Sequence, residues 1–259
     1  MIDLHCHILP GIDDGPATIE ETLDLARAAV AAGTRTMVAT SHVSPRYPNS
    51  ARTIARAVGE VNARLALEEI SLEVRPGGEV AIFQVDELAP GELTALRLGH
   101  GPWLLLESPF TLVADSVPAL IGRIQDNGHR IVLAHPERCP GFHRRRDLLE
   151  ALVRDQGVLT SVTAGSLVGQ FGREVERFAL GMARDGLIHN VASDAHDCDR
   201  RPPVIREPLE RAGLGPHVSL LAEELPRAIL DGTDLPAYPE ALLAPARRRG
   251  LGRWRRRSA

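Results

Sequence analysis

The chain contains no lysine, so all 30 of its basic residues are arginines. That absence excludes Schiff-base chemistry on a lysine amine, a phosphate-loop lysine and a carboxylated-lysine metal bridge. Aromatic residues are only 3% of the chain. That is too few for a base-stacking platform, and no specific nucleic-acid partner is expected. Three cysteines, Cys6, Cys139 and Cys198, form neither a CxxC pair nor a disulfide framework. A reducing, cytoplasmic setting is the simplest expectation. No apolar run approaches the roughly 20 residues that cross a bilayer. No charged leader followed by an apolar stretch precedes the first strand, so no secretory signal is expected.

What is present is ordinary for a globular protein: 259 residues, 44% hydrophobic and 25% charged. That length suits one large α/β barrel or two small domains. Short apolar runs at 1–6, 35–40, 71–75, 103–106, 130–134, 158–162 and 187–192 read as seven strands. Helical patterns lie between them, the first opened by a capping box at Thr18-Ile-Glu-Glu21 and others over 51–69, 115–127, 146–156 and 166–184. The alternation predicts a parallel sheet with helices outside. Closed into a barrel, it collects the strand C-termini on one face. Residues 1–235 are expected to form this body and 236–259 a disordered basic tail. Residues 245–259 hold seven arginines and no acid, so the rest of the chain carries a formal charge of −11 beneath a total of −4.

Residues with metal-binding chemistry recur at those strand ends. His5 and His7 sit at i and i+2 of the first strand, so they project to one side while Cys6 projects to the other. Asp194 and His196 repeat the spacing on the seventh strand. His42 ends the second strand, Glu79 follows the third, Glu107 the fourth and His135 the fifth, and Asp14 comes from the loop after the first. Each alone is more often a solvated or hydrogen-bonded group. Nine at one barrel face instead imply divalent metal. Nine donors exceed one coordination sphere, so two or three ions are expected, with a carboxylate such as Glu79 bridging. Manganese is the expected metal, with iron or zinc as alternatives. Close metal pairs activate water and clamp phosphoryl oxygens. Arg46, Arg138 and Arg201 stand beside the ligands as candidate phosphate clamps.

Three other readings compete. Cys139 and Arg145 match Cx5R, the phosphate loop of cysteine-dependent tyrosine phosphatases. Pro140 removes a backbone N–H that such a loop donates, and no Ser or Thr follows Arg145. A metal-dependent amidohydrolase or deacetylase shares HxH on a barrel strand. A non-catalytic metal-binding accessory module is the non-enzymatic alternative.

The segments DLHCHILPGIDDGP, TSH at 40–42, GGE at 77–79, LLLESP at 104–109, LAHPER at 133–138 and ASDAH at 192–196 resemble the PHP (polymerase and histidinol phosphatase) family. They are most similar to its branch of bacterial metal-dependent tyrosine-protein phosphatases of capsule and exopolysaccharide operons. The resemblance runs over roughly 1–232. It implies a distorted (β/α)7 TIM-like barrel with a trinuclear, often manganese-containing centre. The first ion would be held by His5, His7, Glu79 and Asp194, the second by Glu79, Glu107 and His135, and the third by Asp14, His42 and His196. The histidinol-phosphatase branch, the alternative within the family, usually has histidine where Asp14 stands. VTAGSLVGQFG at 162–172 also resembles the tyrosine-phosphatase branch. The implied partner is a membrane-anchored bacterial tyrosine kinase. The arginine tail lies outside the family pattern. It is expected to touch anionic membrane, which would place the protein peripherally at the inner membrane face. Oligomeric state is left open.

Overall fold

The computed structural model describes residues 1–99, 101–110 and 115–244. Its β segments are β1 (Ile2–Cys6), β2 (Thr36–Ala39), β3 (His42–Val43), β4 (Glu73–Pro76), β5 (Glu79–Ala81), β6 (Trp103–Glu107), β7 (Arg130–Ala134), β8 (Leu159–Thr163) and β9 (Asn190–Ala192). All pair in parallel, β1-β2-β4 in one ladder and β3-β5-β6-β7-β8-β9 in another. The two ladders join into a ring. Cys6 bridges Ala195, the Asp194 N–H donates to His5 O (2.8 Å), and the His7 N–H donates to Ala195 O (2.9 Å). β3 continues β2, and β5 continues β4, past the ends of the expected second and third strands, so seven strand positions remain. The break between β4 and β5 falls at Gly77-Gly78, which the packing requires. A Cβ on Gly77 would lie 2.7 Å from Val38 Cγ1, and one on Gly78 would lie 2.7 Å from Leu96 Cδ2.

Alternation along the strands sorts the side chains. Leu104 and Leu106 of β6 and Ile131 and Leu133 of β7 face the outer helices. Leu4, Val38, Leu105, Val132 and Leu159 fill the lower barrel interior, which Leu98, Ile229 and Leu230 plug from below. The first helix, Ile19–Ala31, buries Leu23, Leu25, Ala26 and Ala29. Its cap departs slightly from the expected box. Thr18 Oγ1 accepts the Glu21 N–H (3.3 Å), while Glu21 Oε2 reaches past Thr18 to the Ala17 N–H (2.6 Å).

Two expectations change. The helix expected over 166–184 is a short 3-10 turn at Ala164–Val168 followed by a helix over Arg173–Arg184. Gly169 (φ 84°) and Gly172 (φ 94°) adopt left-handed backbone, which ends the first turn and re-aims the second. Residues 236–244, expected to lie in the tail, include two that contact the body. Tyr238 stacks on His189 with centroids 5.0 Å apart and donates to Ile188 O, and the Leu242 N–H donates to Ala183 O (2.8 Å). This strap belongs to the body, and the arginines of 247–257 lie outside the described residues. No helix among the described residues is long and apolar enough to cross a membrane.

Candidate metal centre

Regular alternation alone would not build the upper half of this barrel. With Leu4 facing inward, His5 should point out. Between Asp3 and Cys6, β1 carries two residues, Leu4 and His5, where β2 has only Val38 between Met37 and Ala39. This bulge turns His5 inward beside His7. Asp3 holds it in place. Its Oδ1 accepts the His5 N–H (3.3 Å) and the Ser193 N–H (3.1 Å), and its Oδ2 accepts the Ser193 hydroxyl (2.5 Å). His135 and Asp194 take left-handed backbone, φ 31° and 53°, at the ends of β7 and β9. Asp and His are among the residues that tolerate that region, and such backbone gathers at functional sites.

All nine expected ligands converge. His5 Nε2 lies 3.3 Å from Glu79 Oε1 and 3.5 Å from Asp194 Oδ1, and His7 Nε2 lies 3.4 Å from Glu79 Oε2. His135 Nε2 is 2.8 Å from Glu79 Oε1 and 3.9 Å from Glu107 Oε1. His42 Nε2 and His196 Nε2 are each 3.4 Å from Asp14 Oδ1. Donor atoms close enough to share an ion form three overlapping groups: His7 with Asp14, His42 and His196; His5 with His7 and Glu79; and His42 with Glu79 and Glu107. Glu79 stands in two of them, as a bridging carboxylate must. Asp14 is 43% exposed, Glu107 18% and His42 16%, while the others are nearly sealed, so the centre opens on that side.

The electrostatics ask for a cation. Burial opposes ionisation of Glu79 and Asp194. Even so, His5, His135 and His42 hold Glu79 well below the usual carboxylate range, and His5, His7 and Arg201 do the same for Asp194. Burial and the neighbouring Glu79 carboxylate push Glu107 up to about 7. Burial, and then Arg138, push His135 down to about 4, leaving a neutral imidazole able to ligate. Glu79 Oε2, Asp194 Oδ1 and His196 Nε2 are buried and make no hydrogen bond. Each such orphan costs about 1–3 kcal/mol, and bound divalent ions would partner all three. The donor set of imidazoles and carboxylates suits manganese, iron or zinc.

The arginines divide. Arg138 Nη1 donates to Asp194 Oδ2 (2.5 Å), and Arg201 Nη2 donates to the same oxygen. That leaves Asp194 Oδ1 turned to the centre. Arg46 is exposed and sits over the Tyr47 ring (5.1 Å), which in turn stacks on His42 (5.5 Å). It thus meets the rim only through Tyr47.

Sequence reasoning passed over several supports. Asp13 accepts from His7 Nδ1 (2.9 Å) and from the His42 and Gly15 N–H groups (3.1 and 3.0 Å), orienting two ligands from outside the cluster. Its only signal was adjacency to Asp14. Glu137 accepts the Thr163 N–H (3.0 Å) and the Ser166 hydroxyl (2.7 Å), fixing the loop beneath Asp194. Phe110 stacks on His135 (5.5 Å), and Phe171 lies under Arg138 (4.5 Å). Cys139 is buried, its Sγ donates to Pro109 O (3.2 Å), and burial raises its thiol. It has no thiolate character to offer a nucleophile.

The family described as capsular polysaccharide synthesis, CpsB/CapC, matches residues 1–212. Tyrosine-protein phosphatase YwqE of Bacillus subtilis (strain 168) is 39% identical over 202 residues, 78% of this chain and 79% of that protein. Tyrosine-protein phosphatase CpsB of Streptococcus pneumoniae is 27% identical over 217 residues, 80% of this chain and 87% of that protein. Among solved structures, one from work on YwqE of B. subtilis and CpsB of S. pneumoniae, described as unique metal-dependent tyrosine phosphatases, superposes with a TM-score of 0.79. It is 32% identical and covers 96% of this chain and 100% of that one.

Proposed function

The chain belongs to the CpsB/CapC family of capsular polysaccharide synthesis, and from that membership we propose that it is a metal-dependent protein-tyrosine phosphatase. The observation that carries this reading is the convergence of nine imidazole and carboxylate side chains, seven of them in overlapping groups close enough to share an ion and three with a buried, unpartnered donor atom, with two guanidiniums beside them. Three ions, of which manganese fits the donors, would be held as the resemblance implies. His5, His7, Glu79 and Asp194 take the first, Glu79, Glu107 and His135 the second, and Asp14, His42 and His196 the third. When bound, such ions lower the pKa of water toward neutrality and neutralise phosphoryl oxygens.

The chain's own residues do the rest. Arg138 and Arg201 bind the outer phosphoryl oxygens and stabilise the charge that builds on them. Their shared hold on Asp194 keeps both guanidiniums fixed at the edge of the centre before substrate arrives. Arg201 Nε, buried and without a hydrogen-bond partner, is a spare donor on that side. Asp13 keeps the proton of His7 on Nδ1, which leaves Nε2 to ligate. Phe110 shields His135 from bulk water. The phenolate leaving group, with a phenol pKa near about 10, departs without strong general-acid help. Arg46 is the outermost cation of the rim. A membrane-anchored tyrosine kinase is the expected substrate and the cytoplasmic membrane face the expected location, the arginine tail of 245–259 serving as the electrostatic contact.

Metal analysis paired with hydrolysis of phosphotyrosine peptide and of histidinol phosphate, with and without chelator, tests the reading. Metal-dependent turnover with higher kcat/KM on the peptide is expected. Preference for histidinol phosphate would move the protein to the family's other branch.

A further inference from the structure

We infer that a basic cavity beside the metal centre is a docking subsite for acidic side chains flanking the phosphotyrosine of the substrate, an inference that rests on the phosphatase reading above. The cavity, about 550 Å³, is lined by Arg138, His143, Arg144, Phe171, Arg173 and Glu174. Arg138 is the shared wall. One face of its guanidinium lies over Phe171, while its Nη1 holds Asp194 at the centre. The cavity therefore lies one guanidinium away from the centre.

The charges around it are unequal in a way that matters. In the run Arg144-Arg145-Arg146, Arg145 pairs with Asp115 and Asp147, and Arg146 pairs with Glu150 and Asp185. Arg144 and Arg173 have no carboxylate partner among the described residues. The lone acid, Glu174, is turned to His143 Nδ1 (3.5 Å). Exposed arginines are ordinarily solvated and carry no message. These two differ in lining a concavity next to the reaction centre, on a body whose formal charge is −11 without the tail. The other cavity adjoining the centre, on its Asp14–His196 side, has the opposite sign, with Glu21, Asp24, Asp197 and Asp199 in its wall. A peptide carrying acids beside its phosphotyrosine is repelled from one flank and drawn to the other. Guanidinium forks match carboxylates bidentately, so the same contact gives register as well as attraction. Consecutive Cα atoms are about 3.8 Å apart, so the acids recognised lie within a few positions of the phosphotyrosine.

The test uses the full-length, metal-loaded protein and three substrates: a phosphotyrosine peptide with flanking glutamates, the same peptide with glutamines, and para-nitrophenyl phosphate. Wild type should prefer the acidic peptide, mainly through KM, and that preference should fade as salt rises. The double variant Arg144→Gln/Arg173→Gln should lose roughly tenfold in kcat/KM on the acidic peptide, the sum of two partly screened charge pairs. It should keep wild-type rates on the other two substrates. Equal use of both peptides by wild type, or a loss in the double variant shared by all three substrates, overturns the subsite while leaving the phosphatase reading intact. Loss of binding to anionic lipid vesicles in the double variant, with peptide kinetics unchanged, makes this a lipid surface and overturns it too. Absence of turnover on any phosphotyrosine peptide by metal-loaded wild type removes the phosphatase reading and this inference together.

Discussion

The inward faces of one set of strands build two different materials. In the lower half, Leu4, Val38, Leu105, Val132 and Leu159 pack as an apolar layer closed by Ile229 and Leu230. Toward the C-terminal ends of the barrel strands, His5, His7, Glu79, His135 and Asp194 form a buried polar cluster, with Glu107 on its more open side. The lower half needs only regular alternation, because any apolar side chain of suitable volume is at home there. The upper half needs a bulge at His5, paired glycines at 77–78 and left-handed backbone at His135 and Asp194. Apolar packing tolerates imprecision, whereas ligand geometry does not. The distortions therefore gather where direction matters, and the lower layer supplies the stability that holds them.

Changes in the upper half should then remove chemistry and spare the fold. The largest effect is expected for Glu79→Gln, which keeps the shape but removes the bridging carboxylate. Turnover should fall to background and bound metal should drop, with the circular dichroism of the folded protein retained. Unfolding of this variant would show that the upper cluster is structural as well. Next, Arg138→Ala and Arg201→Ala should each lower kcat/KM by about 10²-fold with metal content unchanged. Metal lost in step with activity would mean that the arginines act by holding Asp194 and not by holding phosphate.

The lower half should behave in reverse. Leu105→Ala, fully buried in the apolar layer, should cost about 2–5 kcal/mol of stability while leaving kcat intact in the cold. A matching loss of kcat would join the two halves that the geometry separates. pH should reach the lower half through His189, at the entry to β9, which burial holds down to about 4. The unfolded chain takes up a proton there below about pH 6.5, and the folded chain does so only near pH 4. Stability present above 6.5 is therefore lost as pH falls toward 4, at up to about 1.4 kcal/mol per pH unit. His189→Gln should flatten that slope in denaturant melts at pH 7 and 5, and an unchanged slope would place the responsible group elsewhere. The smallest effect is expected for Cys139→Ser. The thiol is buried and raised, and serine can donate the same bond to Pro109 O. Activity should stay near wild type, and any large loss with metals retained would revive a thiol mechanism.

Much of this was legible in the chain alone. The nine candidate ligands stood out because each ends or follows an apolar run, and a barrel sends all such ends to one face. The helix starting at Ile19 was announced by its threonine cap. The single helix expected over 166–184 failed because helical periodicity says nothing about φ, and Gly169 and Gly172 take positive values. Tyr238 and Leu242, expected in the tail, are too sparse to register as a pattern, yet each finds a site on the body. Asp13, Asp3 and Glu137 were passed over because an acid that orients a ligand resembles any loop acid until its partner is known.

By itself the sequence determined the strand-and-helix order, the donor types available and the exclusion of lysine chemistry, because composition and local periodicity are properties of the chain. Only the tertiary structure decided that His5 turns inward, that Arg138 and Arg201 meet on one oxygen of Asp194 while Arg46 stops at Tyr47, and that Arg144 and Arg173 are left facing a cavity. Those outcomes depend on which distant groups occupy the space around each residue. Register, bulges and ion-pair partners are settled only when the ring closes.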